Sequence, residues 1–135
     1  MKILLDTNVV LDKLASRKPF DENADSIFAK IARNEISGFI TAAEVTDIYY
    51  LLRKKLSDYN CRVALRHLFE LLQVLSVSQD DCESAIESPL EDFEDALILT
   101  CAEKANIDFV ITRDEAFLKE KGTISPSEFL GSFGL

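Results

Sequence analysis

The sequence predicts an α/β fold: three layers, α/β/α, around a central parallel sheet of four to five strands. Short aliphatic runs, the first of them Ile3-Leu4-Leu5, have the character of strands that are buried on both faces. Longer segments with helical spacing of apolar residues separate these runs, and this alternation is typical of βαβ units. The 135 residues suffice for a substantial core, and we expect one domain over residues 1–135.

The order of the elements follows from periodicity and from capping residues. Thr7 or Asn8 can cap the first helix, Thr41 the third, and Asp58 or Asn60 the fourth. Strands are expected at residues 3–5, 39–40, 74–77, 108–111 and 123–124. Helices are expected at residues 9–16, 21–34, 42–56, 58–72, 91–105 and 115–121, with a turn or helix at 126–130.

Composition narrows the classes of protein. The net charge of −9 argues against a protein that holds nucleic acid by bulk positive charge, although carboxylates gathered around a divalent metal reverse the local sign. No run of 18 apolar residues is present, so no membrane span is expected. The three cysteines lack metal-ligand spacing, which indicates reduced core thiols in a cytoplasmic protein.

Acidic residues stand where the predicted strands end and in the first turns of the helices that follow. They are Asp6, Asp114, either Glu44 or Asp47, and either Asp92 or Asp95. The carboxyl ends of parallel strands meet at one edge of a sheet, so these acids should lie together. Ligation by oxygen alone suits Mg²⁺ or Mn²⁺, and such ions can activate water and stabilise the oxygens of a phosphodiester under attack.

Purely structural roles also account for some of these acids. Asp6 would then only cap the first helix, although Thr7 and Asn8 offer oxygens for the same purpose. The helix macrodipole explains Glu91 and Glu94 in the same way, because it favours acids in a first turn. Asp92 and Asp95 are three residues apart and therefore share a helix face.

The whole chain resembles the PIN-domain proteins, a family of metal-dependent ribonucleases that includes the VapC-type toxins. The matching pieces are Leu4-Leu5-Asp6-Thr7-Asn8-Val9-Val10, Ile48-Tyr49-Tyr50-Leu51-Leu52-Arg53, Asp95-Ala96-Leu97-Ile98, Ile111-Thr112-Arg113-Asp114 and Ile124-Ser125-Pro126-Ser127-Glu128-Phe129-Leu130. The resemblance implies a sheet with the first strand at its centre and a Mg²⁺- or Mn²⁺-dependent endoribonuclease in the cytoplasm. It also implies RNA as the substrate, an antitoxin protein as a possible partner, and a homodimer.

By this resemblance Asp6, Asp95 and Asp114 fall on the family's metal-binding acids. The family's fourth acid is usually a glutamate early in the helix after the second strand. Alignment on Tyr49 to Arg53 puts Asp47 at that position, and Glu44, one turn earlier on the same face, is the alternative ligand.

The supporting residues follow from the same comparison. Thr112 resembles the family's hydroxyl residue near the last acid, and Asn8 the polar residue after the first; both would orient ligands. Apart from this resemblance, Asp92 is an alternative to Asp95 in the first turn of the same helix. With a net charge of −9, contact with the substrate must depend on local cations, and Arg53 and Arg113 are the candidates.

Two other functions compete with a ribonuclease. A PIN-fold module that binds protein or RNA without useful turnover would keep the same acids. A phosphatase that forms an aspartyl-phosphate on Asp6 would need a second aspartate two residues later, where this chain has Asn8.

Overall fold

A computed structural model describes residues 1–133. Five strands form one parallel sheet in the order β3-β2-β1-β4-β5, which confirms the predicted sheet and the central place of the first strand. The strands are β1 (Lys2–Leu5), β2 (Ser37–Thr41), β3 (Leu72–Leu75), β4 (Phe109–Ile111) and β5 (Thr123–Ile124).

Helices cover both faces of this sheet. They are α1 (Thr7–Leu14), α2 (Asp21–Ala32), α3 (Ala42–Leu52), α4 (Asp58–Leu71), α5 (Gln79–Glu87), α6 (Phe93–Lys104) and α7 (Pro126–Phe133), with a 3₁₀ turn at Phe117–Lys119. Within residues 1–133, no helix has both the length and the apolar character needed to cross a bilayer.

The core confirms the three layers. Side chains of β1 alternate between the two faces, so that Ile3 and Leu5 enter one apolar cluster and Leu4 enters another. The first cluster lies under α1, α2, α3, α4 and α7, and it includes Phe129. The second lies under α6 and includes Ile98. The central strand is therefore buried on both sides, as its run of aliphatic residues predicted.

Several predicted boundaries were wrong. Helix α5 was not predicted, because its sequence is polar and its one buried apolar residue is Ala85; a capping box between Ser78 and Asp81 starts it. Strand β3 begins two residues early, at Leu72, which pairs with Gly38. Helix α3 ends at Leu52 instead of residue 56, and Ser57 rather than Asp58 or Asn60 caps α4.

The end of α1 brings the chain back toward the sheet edge. Ser16 takes a left-handed conformation with φ of 49°, and the Arg17 amide donates to the Asp12 carbonyl at 3.1 Å. This is the bonding of a Schellman helix end, which reverses the chain direction sharply. As a result, Arg17 lies beside the same helix whose first turn begins at Thr7.

Candidate active site

The site is built where the two central strands end side by side. Leu5 of β1 pairs with Ile111 of β4, and the Asp6 amide continues the ladder by donating to the Ile111 carbonyl at 2.9 Å. Asp6 is therefore held at the carboxyl edge of the sheet, where it is 6% exposed. Its Oδ1 accepts a bond from the Thr7 amide at 2.8 Å, so Asp6 does cap α1. Capping uses one carboxylate oxygen and leaves the other facing β4.

Thr112 connects the first acid to the last. Its buried hydroxyl donates to Oδ2 of Asp6 at 2.7 Å and accepts a bond from the Asp114 amide at 3.1 Å. Asn8 adds a second bridge, because its Nδ2 donates to Oδ2 of Asp6 at 3.2 Å while its Oδ1 accepts from the Arg113 amide at 3.2 Å. These contacts fix the loop after β4 against the first turn of α1.

Helix α6 supplies the third side of the site. Oδ1 of Asp92 accepts a bond from the Asp95 amide at 3.0 Å, which makes Asp92 the cap of this helix. The cap sets where the helix begins and so where Asp95, 9% exposed, enters the site. Asp92, Glu94 and Asp95 all line an open cavity of about 280 Å³. The remaining residues that line it are Asp6, Thr7, Asn8, Leu11, Arg17, Leu51 and Asp114.

The gathered carboxylates raise one another's pKa values. Burial raises the pKa of Asp95 to about 7, and the charges of Asp92, Asp6, Asp114 and Glu94 contribute to the same rise. Burial is also the main cause that raises the pKa of Asp6, which the bonds from Thr112 and Thr7 partly offset. The acids therefore interact as one group, which isolated helix caps would not do.

The two candidates on α3 differ in environment. Glu44 is fully buried; its Oε1 accepts bonds from the Thr41 amide at 2.9 Å and the Thr41 hydroxyl at 3.1 Å, and its Oε2 accepts from the Thr7 hydroxyl at 3.4 Å. Burial raises its pKa well above the ordinary value. Asp47 is half-buried and lies beside Glu94, to whose raised pKa its charge contributes. Neither Glu44 nor Asp47 lines the acidic cavity itself.

Glu94 and Arg17 line the cavity, although sequence reasoning did not place them there. Burial raises the pKa of Glu94 to about 7, with the charges of Asp47 and Asp6 as the next causes. In the sequence, the helix macrodipole alone accounts for a glutamate at position 94, so nothing there indicates that the Glu94 side chain lines a cavity. For Arg17, the feature of the sequence that could have indicated its placement is the acid shortly before it, Asp12, with which the Arg17 guanidinium pairs.

The structure places the two predicted substrate contacts away from the cavity. The Arg113 guanidinium forms an ion pair with Asp12, with Nη2 to Oδ1 at 2.9 Å, and stacks 3.7 Å from the ring centroid of Phe20. Arg53 is exposed and donates from Nη1 to the Leu56 carbonyl at 2.9 Å. Neither residue lines the acidic cavity.

The donor set suits a hard divalent cation. Its carboxylates offer oxygen ligands only, and a pKa of about 7 at both Asp95 and Glu94 includes repulsion that a cation would relieve. In the described part of the chain, no three acidic, histidine or cysteine side chains are gathered closely enough to hold an ion as they stand. Side-chain rotation within the open cavity would have to bring them together.

An acidic cavity at the carboxyl edge of a parallel sheet defines a class of α/β proteins whose functional groups sit where the strands end. The family model of the PIN domain matches residues 2–116, most of the chain. The chain belongs to the PIN-domain family. No curated protein matches the sequence.

Solved structures share the fold across almost the whole chain. A toxin–antitoxin complex from Klebsiella pneumoniae has 22% identity and a TM-score of 0.68, covering 92% of this chain and 97% of that one. VapC20 of Mycobacterium tuberculosis, a sarcin–ricin loop cleaving toxin, has 16% identity and a TM-score of 0.70, with 87% and 93% covered. DNA-bound VapBC from Salmonella typhimurium has 16% identity and a TM-score of 0.68, with 93% and 98% covered. At these identities the similarity establishes the fold.

Proposed function

We propose that this protein is a Mg²⁺- or Mn²⁺-dependent endoribonuclease that hydrolyses RNA phosphodiester bonds. The observation that carries the proposal is the cavity at the sheet edge that Asp6, Asp95 and Asp114 line together. The pKa of Asp95, which burial and four neighbouring carboxylates raise to about 7, indicates that these acids share one electrostatic environment. Membership of the PIN-domain family supports the same activity.

In this proposal Asp6, Asp95 and Asp114 hold the metal, and Asp47 is the fourth acid. The bound ion would lower the pKa of a water molecule and stabilise charge on the phosphate oxygens. Asp47 is favoured over Glu44 because Glu44 is fully buried, whereas Asp47 is half-buried and lies beside Glu94, which lines the acidic cavity.

The other residues orient these ligands or handle protons. Thr112 and Asn8 fix the outer oxygen of Asp6 through their hydrogen bonds, and Asp92 sets the start of the helix that carries Asp95. Glu94 lines the same cavity, one residue before Asp95, so its carboxylate can accept a hydrogen bond or a proton from a water molecule beside the phosphate.

The fold suggests a biological setting. The similar structures from Klebsiella pneumoniae and Salmonella typhimurium are a toxin–antitoxin complex and a VapBC assembly, so we propose that this chain is the toxin of such a pair and binds an antitoxin protein. We also propose a homodimer, which the resemblance to the PIN-domain family implies. The three cysteines are free thiols, which agrees with a cytoplasmic protein.

The geometry does not favour a phosphatase with Asp6 as nucleophile. Asn8 stands where that chemistry would need a second acid, and its Nδ2 donates to Oδ2 of Asp6 at 3.2 Å. A binding module without turnover is the alternative that an activity assay must separate from the nuclease.

Cleavage of single-stranded and hairpin RNA with added Mn²⁺ tests the proposal. Asp6→Asn and Asp95→Asn should each reduce the rate at least about a hundredfold, which corresponds to about 3 kcal/mol of transition-state stabilisation. Chelation should abolish cleavage, and renewed Mn²⁺ should restore it. Glu91→Gln, which removes a charge from the same stretch outside the acidic cavity, is the matched control and should keep the rate within about twofold. Equal rates in all four proteins would leave only the binding module.

A further inference from the structure

A second cavity continues the acidic one along the surface. It measures about 190 Å³ and shares Leu11, Arg17 and Leu51 with the acidic cavity. Its other lining residues include Lys54 and Lys55, both of which are exposed. The two cavities therefore form one trough with carboxylates at one end, cations at the other, and apolar Leu11 and Leu51 where they meet.

Arg17 lies at the junction in a fixed orientation. Its Nε donates to Oδ1 of Asp12 at 3.0 Å, and its Nη2 donates to the Asn8 carbonyl at 2.8 Å. Asp12 is 1% exposed and also binds Arg113, so it is a rigid anchor for both guanidinium groups. Two bonds engage two of the five N–H groups of Arg17, whose side chain is 37% exposed. Donors remain to bind a ligand in the trough.

The charge pattern selects the kind of ligand. Arg17 is the one cationic side chain among the described residues that line the acidic cavity. A fixed guanidinium is well suited to bind phosphate oxygens, more so than a flexible lysine. With a net charge of −9, the protein repels a polyanion at long range, so nucleic acid must find its affinity in a local set of cations.

We propose that Arg17 binds the RNA phosphate next to the one that is cleaved, and that the strand continues over Leu11 and Leu51 toward Lys54 and Lys55. This inference rests on the proposed ribonuclease function and identifies the path of the substrate. Asp12 acts as a positioning residue, because it touches no substrate and holds the Arg17 guanidinium at the rim. A single strand fits the trough better than a duplex, since apolar side chains at the junction can contact unpaired bases.

Binding of a fluorescent single-stranded RNA with 2′-O-methyl groups, which resists cleavage, tests the inference by anisotropy in Mn²⁺. Arg17→Gln should weaken binding at least about tenfold, and the pair Lys54→Gln with Lys55→Gln about threefold to tenfold. The slope of log affinity against log salt should fall by about 0.7 for Arg17→Gln and about 1.4 for the double variant. Neither variant should weaken the Mn²⁺ affinity of the protein without RNA by more than about twofold.

Lys13→Gln is the matched control. Lys13 lies in the last turn of α1, shortly before Arg17, and pairs with Asp25 at 3.0 Å; it lines neither cavity, so its loss removes the same charge away from the trough. It should change RNA affinity less than about twofold. Arg17→Lys keeps the positive charge but cannot form bidentate hydrogen bonds, so its RNA affinity should lie between those of wild type and Arg17→Gln.

Each outcome decides one point. If Arg17→Gln lowers the melting temperature but binds RNA like Lys13→Gln, then Arg17 only stabilises α1 and the inference is wrong. If Arg17→Gln does not fold, the double variant at Lys54 and Lys55 becomes the test. An RNA affinity equal to that of wild type would then contradict the proposed path of the strand. If wild-type protein binds no RNA at low salt, then the proposed ribonuclease function is wrong, and so is the inference that rests on it.

Discussion

Replacing Asp95 with asparagine should stabilise the metal-free protein. The pKa of about 7 at Asp95, against an ordinary 3.8, corresponds to about 4 kcal/mol of unfavourable free energy when the group is ionised. The macrodipole of α6 offsets only about 0.3–1 kcal/mol of this. The substitution Asp95→Asn keeps the shape of the side chain and removes its charge, so the variant should melt above wild type near pH 8 without metal.

The sign of the pH dependence follows from the direction of the shift. A carboxyl group whose folded pKa is raised stabilises the fold below its unfolded pKa, and this stability is lost as the pH rises through the folded pKa. As the pH rises from about 5 to about 8, ionisation of Asp95 should lower the free energy of unfolding of wild type by about 2–3 kcal/mol, which is roughly 8–10 °C in melting temperature.

Thermal melts of metal-free wild type and Asp95→Asn at the two pH values check this prediction. Titrating groups outside the acidic cavity are common to both proteins and cancel in the difference of differences, which therefore measures Asp95 together with the carboxylates coupled to it. Glu91→Gln serves as the control for loss of a charge near the start of α6 and should keep the wild-type pH dependence. If Asp95→Asn melts below wild type near pH 8, or shows the same pH dependence, then Asp95 is a structural residue and the acids do not share a site.

The remaining predictions concern metal, the acid on α3 and the buried anchor. Mn²⁺ at about a hundred times its Kd should add about 2.7 kcal/mol, on the order of 10 °C in the melting temperature of wild type; no shift would mean no site. Asp47→Asn should weaken Mn²⁺ binding about tenfold, and Glu44→Gln less, by calorimetry; the reverse order would make Glu44 the ligand. Asp12→Ala should lower the free energy of unfolding in urea by about 1.5–3 kcal/mol, because two guanidinium groups, both partly exposed to water, lose their charged hydrogen-bond partner; a loss below about 0.5 kcal/mol would contradict the anchoring role.

Local sequence predicted those elements that have a clear hydrophobic pattern or capping residue and whose conformation does not depend on contacts with distant residues. Ile3 to Leu5 could only be a strand buried on both faces, and Thr41 caps α3 as its position before the helix predicted. The order of the acids along the chain was enough to expect Asp6, Asp114 and either Asp92 or Asp95 at one edge, since strand ends of a parallel sheet meet there, and all four line the cavity.

The rest depends on contacts between distant residues. Glu94 lines the cavity because α6 begins beside Asp47 of α3, and its sequence alone is equally consistent with a solvent-facing helix start. Arg17 reaches the site because Ser16 takes a left-handed conformation that reverses the chain. A serine in the sequence does not predict that conformation. The ion pair between the Arg113 guanidinium and Asp12 joins residues far apart in the chain, so local sequence could not predict it, and a contact of Arg113 with substrate stays a prediction.

Titration calorimetry with Mn²⁺ near pH 7, in two buffers of different ionisation enthalpy, would establish whether these acids form one metal centre. Asp95 and Glu94 both have a pKa of about 7, so metal binding should displace protons. We expect saturable binding with release of about one proton per protein, and a loss of at least about half of that release in Asp95→Asn. Failure to bind Mn²⁺ would rule out a shared carboxylate site, and binding without proton release would contradict the raised pKa values of Asp95 and Glu94.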